Sequence, residues 1–173
     1  MRVPNRLDCS NCQKTQKQFA QKAKHILTVS NFSKKDIVET YDIPSNKISV
    51  VYNGISEDYR ILTSDEISET RHQYSNGKPY FIFVGSLHPR KNVQRLVQAF
   101  SSFSLTNSEI DLVIVGNAMW KQEEFKLSKE TKVRVHFLGH LSTNELSRVT
   151  GAAFALSYVP YFEGFGIPLV EAL

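Results

Sequence analysis

Short apolar runs alternate with amphipathic segments through the second half of the chain. Runs rich in apolar side chains at residues 80–84, 110–115, 132–137 and 153–159 have the length of β-strands. Residues 92–104 place Val, Leu and Phe side chains every three or four positions, which is the spacing of one face of a helix. Strands that alternate with helices through short connections predict an α/β fold: a Rossmann-like parallel sheet with helices on both faces.

Two more helices are predicted between these strands. Residues 119–127 form one of them. Ser142 and Glu145 stand three positions apart, as in a capping box, and predict the start of the other. Ligands of parallel sheets bind where the carboxyl ends of the strands meet, so the loops that follow strands are the places to search for chemistry.

The first part of the chain has the same alternation on a smaller scale. Residues 13–24 predict a polar helix, and residues 25–30 and 47–52 predict two strands. A helix is expected between these strands, from Ser33, which suits an N-cap, to about Tyr41.

A polar stretch with few apolar positions separates the two parts. We predict that residues 1–60 close one domain, that residues 61–78 form a linker with a short helix, and that residues 79–173 form a second domain. The turn pair Asn76-Gly77 lies within this predicted linker.

Composition describes an ordinary soluble globular chain: 41% of the 173 residues are hydrophobic and 22% are charged. No apolar run approaches the roughly 20 residues that cross a bilayer, and the N-terminus lacks the apolar core of a signal peptide, so we expect a cytoplasmic protein. Cys9 and Cys12 form an isolated Cys-x-x-Cys, which we interpret as two free thiols rather than a zinc or redox site.

The net charge of +4 is concentrated early in the chain. Residues 1–60 hold 10 Lys and Arg against 6 Asp and Glu, whereas residues 61–173 hold 11 of each. The early lysines favour a solvated helix face, with peripheral contact to an anionic membrane surface as the alternative. Residues 61–173 carry no net charge, which argues against a nucleic-acid partner.

The last stretch of the chain is the most informative. Two glycines, Gly164 and Gly166, follow the strand predicted at 153–159, and Pro168 suits the first turn of a helix. The exposed N–H groups of such a loop and helix end can bind an anion. Glu163 and Glu171 flank the loop, and carboxylates accept paired hydrogen bonds from sugar or ribose hydroxyls. A purely structural Gly-x-Gly turn is the alternative.

A second loop follows the strand at 80–84. It runs from Gly85 to Asn92 and lacks both the Gly-x-Gly-x-x-Gly fingerprint and the P-loop ending, so it favours neither a dehydrogenase nor a P-loop enzyme. Arg90 and Lys91 are adjacent cations at the start of a helix, where the helix dipole opposes them unless they face an anion such as a diphosphate. Two solvated basic residues are the alternative.

Both loops carry a family resemblance. Residues 163–172, Glu-Gly-Phe-Gly-Ile-Pro-Leu-Val-Glu-Ala, resemble the Glu-x7-Glu signature of glycosyltransferase family 4, the retaining nucleotide-sugar transferases of the GT-B fold. Residues 85–92 resemble the Gly-x-x-x-Pro-Arg-Lys-Asn segment that opens the donor-binding domain of that family. Residues 27–37 and 50–55 resemble its crossing from acceptor domain to donor domain, and residues 137–141 and 145–146 resemble the stretch ahead of its signature.

The resemblance implies a truncated GT-B chain, with the end of the acceptor-side domain in residues 1–60 and an incomplete donor domain in 79–173. It implies a retaining transferase that moves a hexose, mannose among the candidates, from a GDP- or UDP-linked donor to a glycan or lipid-linked acceptor in surface polysaccharide synthesis. No further cofactor and no metal are implied. A non-catalytic nucleotide-sugar-binding module is the alternative.

The resemblance also assigns roles to single residues. Glu163 would contact the transferred sugar as the catalytic-site carboxylate, and Glu171 would hold the ribose. The remaining donor-binding residues would surround the diphosphate, with cations and backbone N–H groups in place of a metal. They are Gly85, Arg90, Lys91, Phe165, Gly166 and Ile167.

Two positions depart from the family pattern. Ser86 stands where many relatives have an arginine, which leaves Arg90 and Lys91 to neutralise the diphosphate. Pro160 stands where many have a serine, so that hydroxyl is missing.

Overall fold

The chain folds into two compact units in a computed structural model that describes residues 10–117 and 127–173, with backbone alone for 10–14. The first unit comprises Met1–Gly54 and Glu163–Gly166, and the second comprises Ile55–Phe162 and Ile167–Leu173. The predictions for Cys9 and Cys12 and for the helix at 119–127 concern residues or side chains outside this description.

The first unit holds a small parallel sheet and two helices. Strands β1 and β2 pair in parallel with Ile26 opposite Ile48, and the helix between them packs on both. The bounds are α1 Ser10–Lys22, β1 Ile26–Thr28, α2 Asn31–Tyr41 and β2 Ile48–Val50.

The predicted start of α2 was wrong by three residues. Ser30, not Ser33, is the N-cap: its backbone is extended, with φ −157° and ψ 160°, and its hydroxyl accepts a hydrogen bond from the Ser33 N–H at 3.0 Å. Either serine fits the capping rule, so the sequence alone does not choose between them.

The second unit is built on a parallel sheet in the order β5-β4-β3-β6. This confirms the predicted parallel α/β architecture. The bounds of its elements are α3 Ser64–Ser75, β3 Tyr80–Val84, α4 Val93–Ser104, β4 Asp111–Val115, α5 Lys129–Lys132, β5 Val135–Gly139, α6 Thr143–Gly151, β6 Ala155–Leu156 and α7 Ile167–Glu171.

Apolar side chains cover both faces of this sheet. Ile82 and Val113 point to one face, into a cluster that includes Val149 of α6, while the neighbouring Phe83 and Leu112 point to the other face. Val93, Val97 and Phe100 of α4 complete that second cluster. The alternation along each strand places helices on both sides of the sheet.

The segment predicted as a linker is largely helical. Within residues 61–78, α3 begins with a capping box of Thr63 and Glu66 and packs against α6. The division between the compact units falls at Gly54/Ile55, ahead of the predicted linker. Apolar positions such as Ile67 and Tyr74, spaced for one helix face, bring α3 into the core of the second unit.

Several predicted strands are shorter than expected. Strands β1 and β2 each keep only three residues of the predicted 25–30 and 47–52. Residues 129–132 form a helical turn capped by Ser128, so β5 begins at Val135 instead of residue 132. Strand β6 covers two residues of the predicted 153–159, because Ser157 N–H makes the last hydrogen bond to β3, at the carbonyl of Ile82. Along the part of the chain that the structure describes, no helix combines the length and apolar character needed to span a membrane.

A buried ion cluster lies at the amino ends of β4 and β5. The carboxylate of Asp111, 3% exposed, contacts Nε of Arg134 at 3.1 Å, Nε2 of His136 at 2.8 Å and Nζ of Lys78 at 3.9 Å. The Arg134 guanidinium also donates to carbonyls of the connection before β4, including that of Asn107 at 2.6 Å. These contacts fix the edge of the sheet opposite the predicted site loops.

Candidate functional site

The loops that follow β3, β4 and β5 meet at the carboxyl edge of the sheet in the second unit. Gly85 N–H donates to the Val115 carbonyl at 3.0 Å, and Leu87 N–H donates to the Asn117 carbonyl at 3.1 Å. Gly116 N–H donates to the Gly139 carbonyl at 2.7 Å. These bonds make one continuous backbone layer at the edge where parallel sheets bind ligands.

The close approach of the backbones in this layer requires a glycine at position 116. Its φ is +136°, and a Cβ there would lie 2.0 Å from the carbonyl oxygen of Gly85. Only glycine allows the two backbones to approach so closely. Gly85, a predicted site residue, also has a positive φ, +144°. The sequence contains a signal for Gly116, a glycine directly after a buried strand, but we did not assign it to the site.

The loop of residues 85–92 ends in a single 3-10 turn, Pro89–Lys91, that orients its cations. The Nδ1 atom of His88 accepts a hydrogen bond from Arg90 N–H at 3.1 Å, and Asn92 closes the turn with a left-handed φ of 60°. Helix α4 starts immediately afterwards. The turn fixes the backbone of Arg90 and Lys91 relative to the sheet.

Arg90 connects this loop to the loop that follows β6. Its Nη1 donates to the carbonyl of Phe162 at 2.7 Å, and its own carbonyl accepts from Tyr161 N–H at 2.9 Å. The Asn92 side chain adds a hydrogen bond to the Val159 carbonyl at 3.1 Å. Because β3 and β6 are neighbours in the sheet, their two loops lie side by side, and Arg90 holds them together.

Lys91 is buried beside Gly85. The residue is 8% exposed, and its Nζ lies 5.7 Å from the centroid of the Tyr158 ring. A Cβ at Gly85 would lie 3.7 Å from the Lys91 Cε. A buried ammonium requires compensating negative charge or π-electrons, and the Tyr158 ring supplies part of that compensation, so Lys91 is not a solvated basic residue.

The glycine loop Glu163–Gly166 packs within the first unit. Its Gly164 carbonyl accepts hydrogen bonds from the Ser30 hydroxyl at 2.5 Å and the Ser33 hydroxyl at 3.3 Å. The ring of Phe165 lies 6.2 Å from that of Tyr52. Sequence reasoning did not identify these contacts, because the partners lie more than 100 positions apart along the chain.

The residues after the loop return to the second unit. Gly166, with φ +87°, precedes α7, and Pro168 lies in the first turn of this short helix as its sequence suggests. Ile167 is the first residue of α7 and Glu171 the last. Glu171 lines a cleft of the second unit together with Tyr59, a neighbour that the sequence did not indicate.

The predicted site residues therefore fall into two groups. Gly85, Arg90 and Lys91 lie together at the carboxyl edge in the second unit, which also holds Ile167 and Glu171. Glu163, Phe165 and Gly166 belong to the first unit. Among the residues that the structure describes, no group of His, Cys, Asp and Glu side chains is arranged to hold a metal ion.

Family models match nearly the whole chain. Residues 64–173 match the glycosyl transferases group 1, and residues 11–59 match glycosyltransferase family 4. The chain is 33% identical over 159 residues to the O-antigen chain mannosyltransferase RfbU of Salmonella typhimurium, covering 91% of this chain and 41% of RfbU. It is 29% identical to O-antigen chain mannosyltransferase B of Escherichia coli, again covering 41% of that relative.

Solved structures show the same fold. Anabaena HepE in complex with UDP and glucose matches with a TM-score of 0.79 and 18% identity, covering 95% of this chain and 46% of HepE. WaaG, a glycosyltransferase involved in lipopolysaccharide biosynthesis, matches with a TM-score of 0.70 and 25% identity, covering 84% of this chain and 40% of WaaG. The chain thus spans about two fifths of the length of the curated relatives it matches. With 110 of its 173 residues matching one family model, from 64 to 173, the chain belongs to the glycosyl transferases group 1 and has the parallel α/β architecture of GT-B enzymes.

Proposed function

We propose that this chain supplies the donor-binding part of a retaining glycosyltransferase that moves a hexose from a nucleotide diphosphate to a glycan or lipid-linked acceptor in surface polysaccharide synthesis. The observation that carries the proposal is the pair Arg90 and Lys91 at the carboxyl edge of the sheet, with Arg90 hydrogen-bonded to the loop that leads into Glu163. The mannosyltransferase relatives support mannose as the sugar and therefore a GDP-linked donor.

The chemistry of the reaction explains why cations are needed at this place. Breaking the bond between sugar and phosphate leaves negative charge on the diphosphate while the sugar becomes oxocarbenium-like. Fixed cations stabilise that charge as it develops, and they require no rearrangement because the 3-10 turn already holds them. Backbone N–H groups around Phe165, Gly166 and Ile167 would add further donors to the diphosphate.

The carboxylates have separate roles in this proposal. Glu163 contacts and orients the transferred sugar and is not a nucleophile, since retention is assigned to attack of the acceptor on the same face with help from the leaving phosphate. Glu171 accepts hydrogen bonds from the ribose hydroxyls. We propose no metal and no cofactor beyond the donor itself.

A lipid-linked acceptor would bring the protein to a membrane surface. Helix α1 exposes Lys17, Lys22 and Phe19, the last of which is 71% exposed. Cations beside an exposed aromatic ring suit peripheral contact with anionic lipid headgroups, and we include this contact in the proposal.

Thermal unfolding of the 173-residue chain against UDP-, GDP- and ADP-sugars tests the proposal. A ligand at about 100 times its dissociation constant adds roughly 2.7 kcal/mol, which raises the Tm of a chain of this size by about 5 °C or more. We expect a shift with one nucleotide that Arg90→Ala and Glu163→Ala both reduce. A cooperative melt that none of the donors shifts would refute the proposal. We expect little or no sugar transfer by this chain alone, and measurable turnover would contradict that expectation.

A further inference from the structure

The 3-10 turn that carries the two cations satisfies its backbone donors in an unequal way. Lys91 N–H donates to the His88 carbonyl at 2.8 Å, and Asn92 N–H donates to the Pro89 carbonyl at 3.0 Å. Pro89 has no N–H to satisfy. The donor that is left, the N–H of Arg90, lies in the first part of the turn, where a helix cannot supply its own carbonyl. It donates to a side chain instead, the Nδ1 atom of His88 at 3.1 Å.

This hydrogen bond fixes the chemical form of the His88 ring. A backbone N–H can only donate, so Nδ1 presents its lone pair and the ring proton lies on Nε2. In this form the imidazole carries no charge. His88 therefore adds no third cation to the loop, and its contribution is one acceptor atom on an extended N-cap backbone, with φ −81° and ψ 143°.

The loop is attached to the rest of the second unit by bonds that do not involve the His88 ring. Ahead of the turn, Leu87 N–H donates to the Asn117 carbonyl at 3.1 Å. Behind it, the Asn92 side chain donates to the Val159 carbonyl at 3.1 Å. Loss of the Nδ1 acceptor should therefore loosen the turn and leave the loop attached to the sheet. The two cations project from backbone inside the turn, so their positions are the ones that change.

We propose that His88 is a positioning residue for the donor diphosphate: its Nδ1 atom holds the turn in the form that presents Arg90 and Lys91 together. The inference rests on the proposed function, because it takes these two side chains as ligands of the diphosphate. Cations on a fixed backbone bind a diphosphate better than mobile ones, because less freedom is lost when the ligand arrives. On this account the imidazole acts through a single atom, and a side chain that places an acceptor at the same point can replace it.

Two substitutions separate this acceptor from the rest of the ring. Asparagine carries an oxygen bonded to Cγ, as Nδ1 is in histidine, and it is a favoured N-cap residue. Leucine has the same branching at Cγ but carries methyl groups, which accept no hydrogen bond. The test measures the dissociation constants of UDP, UMP, GDP and GMP by calorimetric titration of the full chain and of both variants. The ratio of diphosphate to monophosphate affinity reports the second phosphate, which requires both cations at once.

We expect His88→Leu to weaken the diphosphate of the preferred base about fivefold, the effect of one lost capping bond, and the monophosphate by less than about twofold. His88→Asn should bind both nucleotides as the wild type does. A purely structural role would instead lower the stability and weaken diphosphate and monophosphate by the same factor, so unfolding in urea is measured alongside.

The outcomes separate this inference from the proposed function. A diphosphate-to-monophosphate ratio that His88→Leu leaves unchanged, in a chain whose diphosphate binding Arg90→Ala weakens, refutes the role of His88 alone. Binding by His88→Asn as weak as that of His88→Leu also refutes it, because the ring would then act through another atom. If His88→Leu does not fold, His88→Gln must lower the same ratio, since its oxygen lies one bond farther from the backbone. Absence of nucleotide binding by the wild-type chain refutes both claims.

Discussion

The guanidinium of Arg90 donates a hydrogen bond to the carbonyl oxygen of Phe162 at 2.7 Å. Phe162 lies in the loop that follows β6, so one side chain joins the turn after β3 to that loop within the second unit. Arg90 therefore has two functions in our account, a cation for the diphosphate and a structural donor to the neighbouring loop.

Substitutions at Arg90 separate these two functions. We predict that Arg90→Ala weakens binding of the donor nucleotide about 10- to 100-fold, the range expected for a hydrogen bond to a charged group. Arg90→Lys keeps the charge but lacks the planar set of donors, so its affinity should lie between those of the wild type and Arg90→Ala. Calorimetric titration with the nucleotide checks the order, and equal affinities in all three proteins would contradict it.

Gly116 cannot carry a side chain without separating the site loops. We predict that Gly116→Ala lowers the stability by about 1–3 kcal/mol through its left-handed backbone alone, and that it also weakens nucleotide binding. The reason is the 2.0 Å approach of the new Cβ to the Gly85 carbonyl. Gly54→Ala is the control, because a Cβ at Gly54 meets nothing within 4 Å. Unfolding in urea measures the stability of both variants. A Gly116→Ala variant as stable as Gly54→Ala would show the prediction to be wrong.

Asp111 stabilises the opposite edge of the same sheet. Replacing it with alanine leaves the nearly buried Arg134 without its carboxylate partner, so we expect a loss of about 3–5 kcal/mol in the free energy of unfolding. Because Asp111 begins β4 and the site loops follow the ends of the strands, the folded fraction should retain its nucleotide affinity. Urea unfolding and titration test the two statements separately. A loss of affinity without a loss of stability would contradict our account.

Acid should weaken the two capped helices that pack on each other, α3 and α6. The guanidinium of Arg60, and then the N–H of Thr63, lower the pKa of Glu66 from 4.5 to about 2, and Ser142 lowers the pKa of Glu145. A carboxylate with a lowered pKa in the folded state contributes stability above its unfolded pKa and loses that contribution as the pH falls through the folded pKa. We therefore predict a decline that begins near the unfolded value of 4.5 and continues towards about 2 for Glu66.

Glutamine is the matched substitution for this test, because it keeps the capping geometry without a titrating group. The melting temperatures of the wild type and of Glu66→Gln, measured between about pH 6 and pH 2, should converge as the pH falls. A difference in melting temperature that stays constant with pH would mean that the Glu66 charge contributes nothing to stability.

The regular part of the fold could be predicted because local pattern and tertiary environment agree there. Strands β3 and β4 are continuous apolar runs, and α4 and α6 have a clear apolar face or a capping box, so each was placed within about two residues. The pattern of apolar and polar residues predicted the wrong boundary where a strand and a helical turn both fit the sequence. Residues 132–137 alternate like a strand, yet Ser128 caps a helical turn that ends at Lys132.

The candidate site could be predicted only as far as its residues are neighbours in sequence, and its role stays a prediction. Arg90, Lys91 and the Glu163–Glu171 string stand in short motifs, and the carboxyl-edge rule brings the first two to the correct end of the sheet. The contacts of Ser30 with Gly164 and of Tyr52 with Phe165 join residues more than 100 positions apart. No local pattern encodes such pairs, and they follow only from the tertiary fold.

The most direct test of the central claim is a titration of the ¹⁵N-labelled chain with GDP-mannose and UDP-glucose, followed by amide chemical shifts. Our account predicts that the ligand moves the amides of residues 85–92 and of the loop at 158–162, while those of Asp111 and His136 at the opposite edge stay in place. Shifts absent with both donors, or confined to the edge around Asp111, would contradict the claim that the Arg90 and Lys91 turn binds the donor diphosphate.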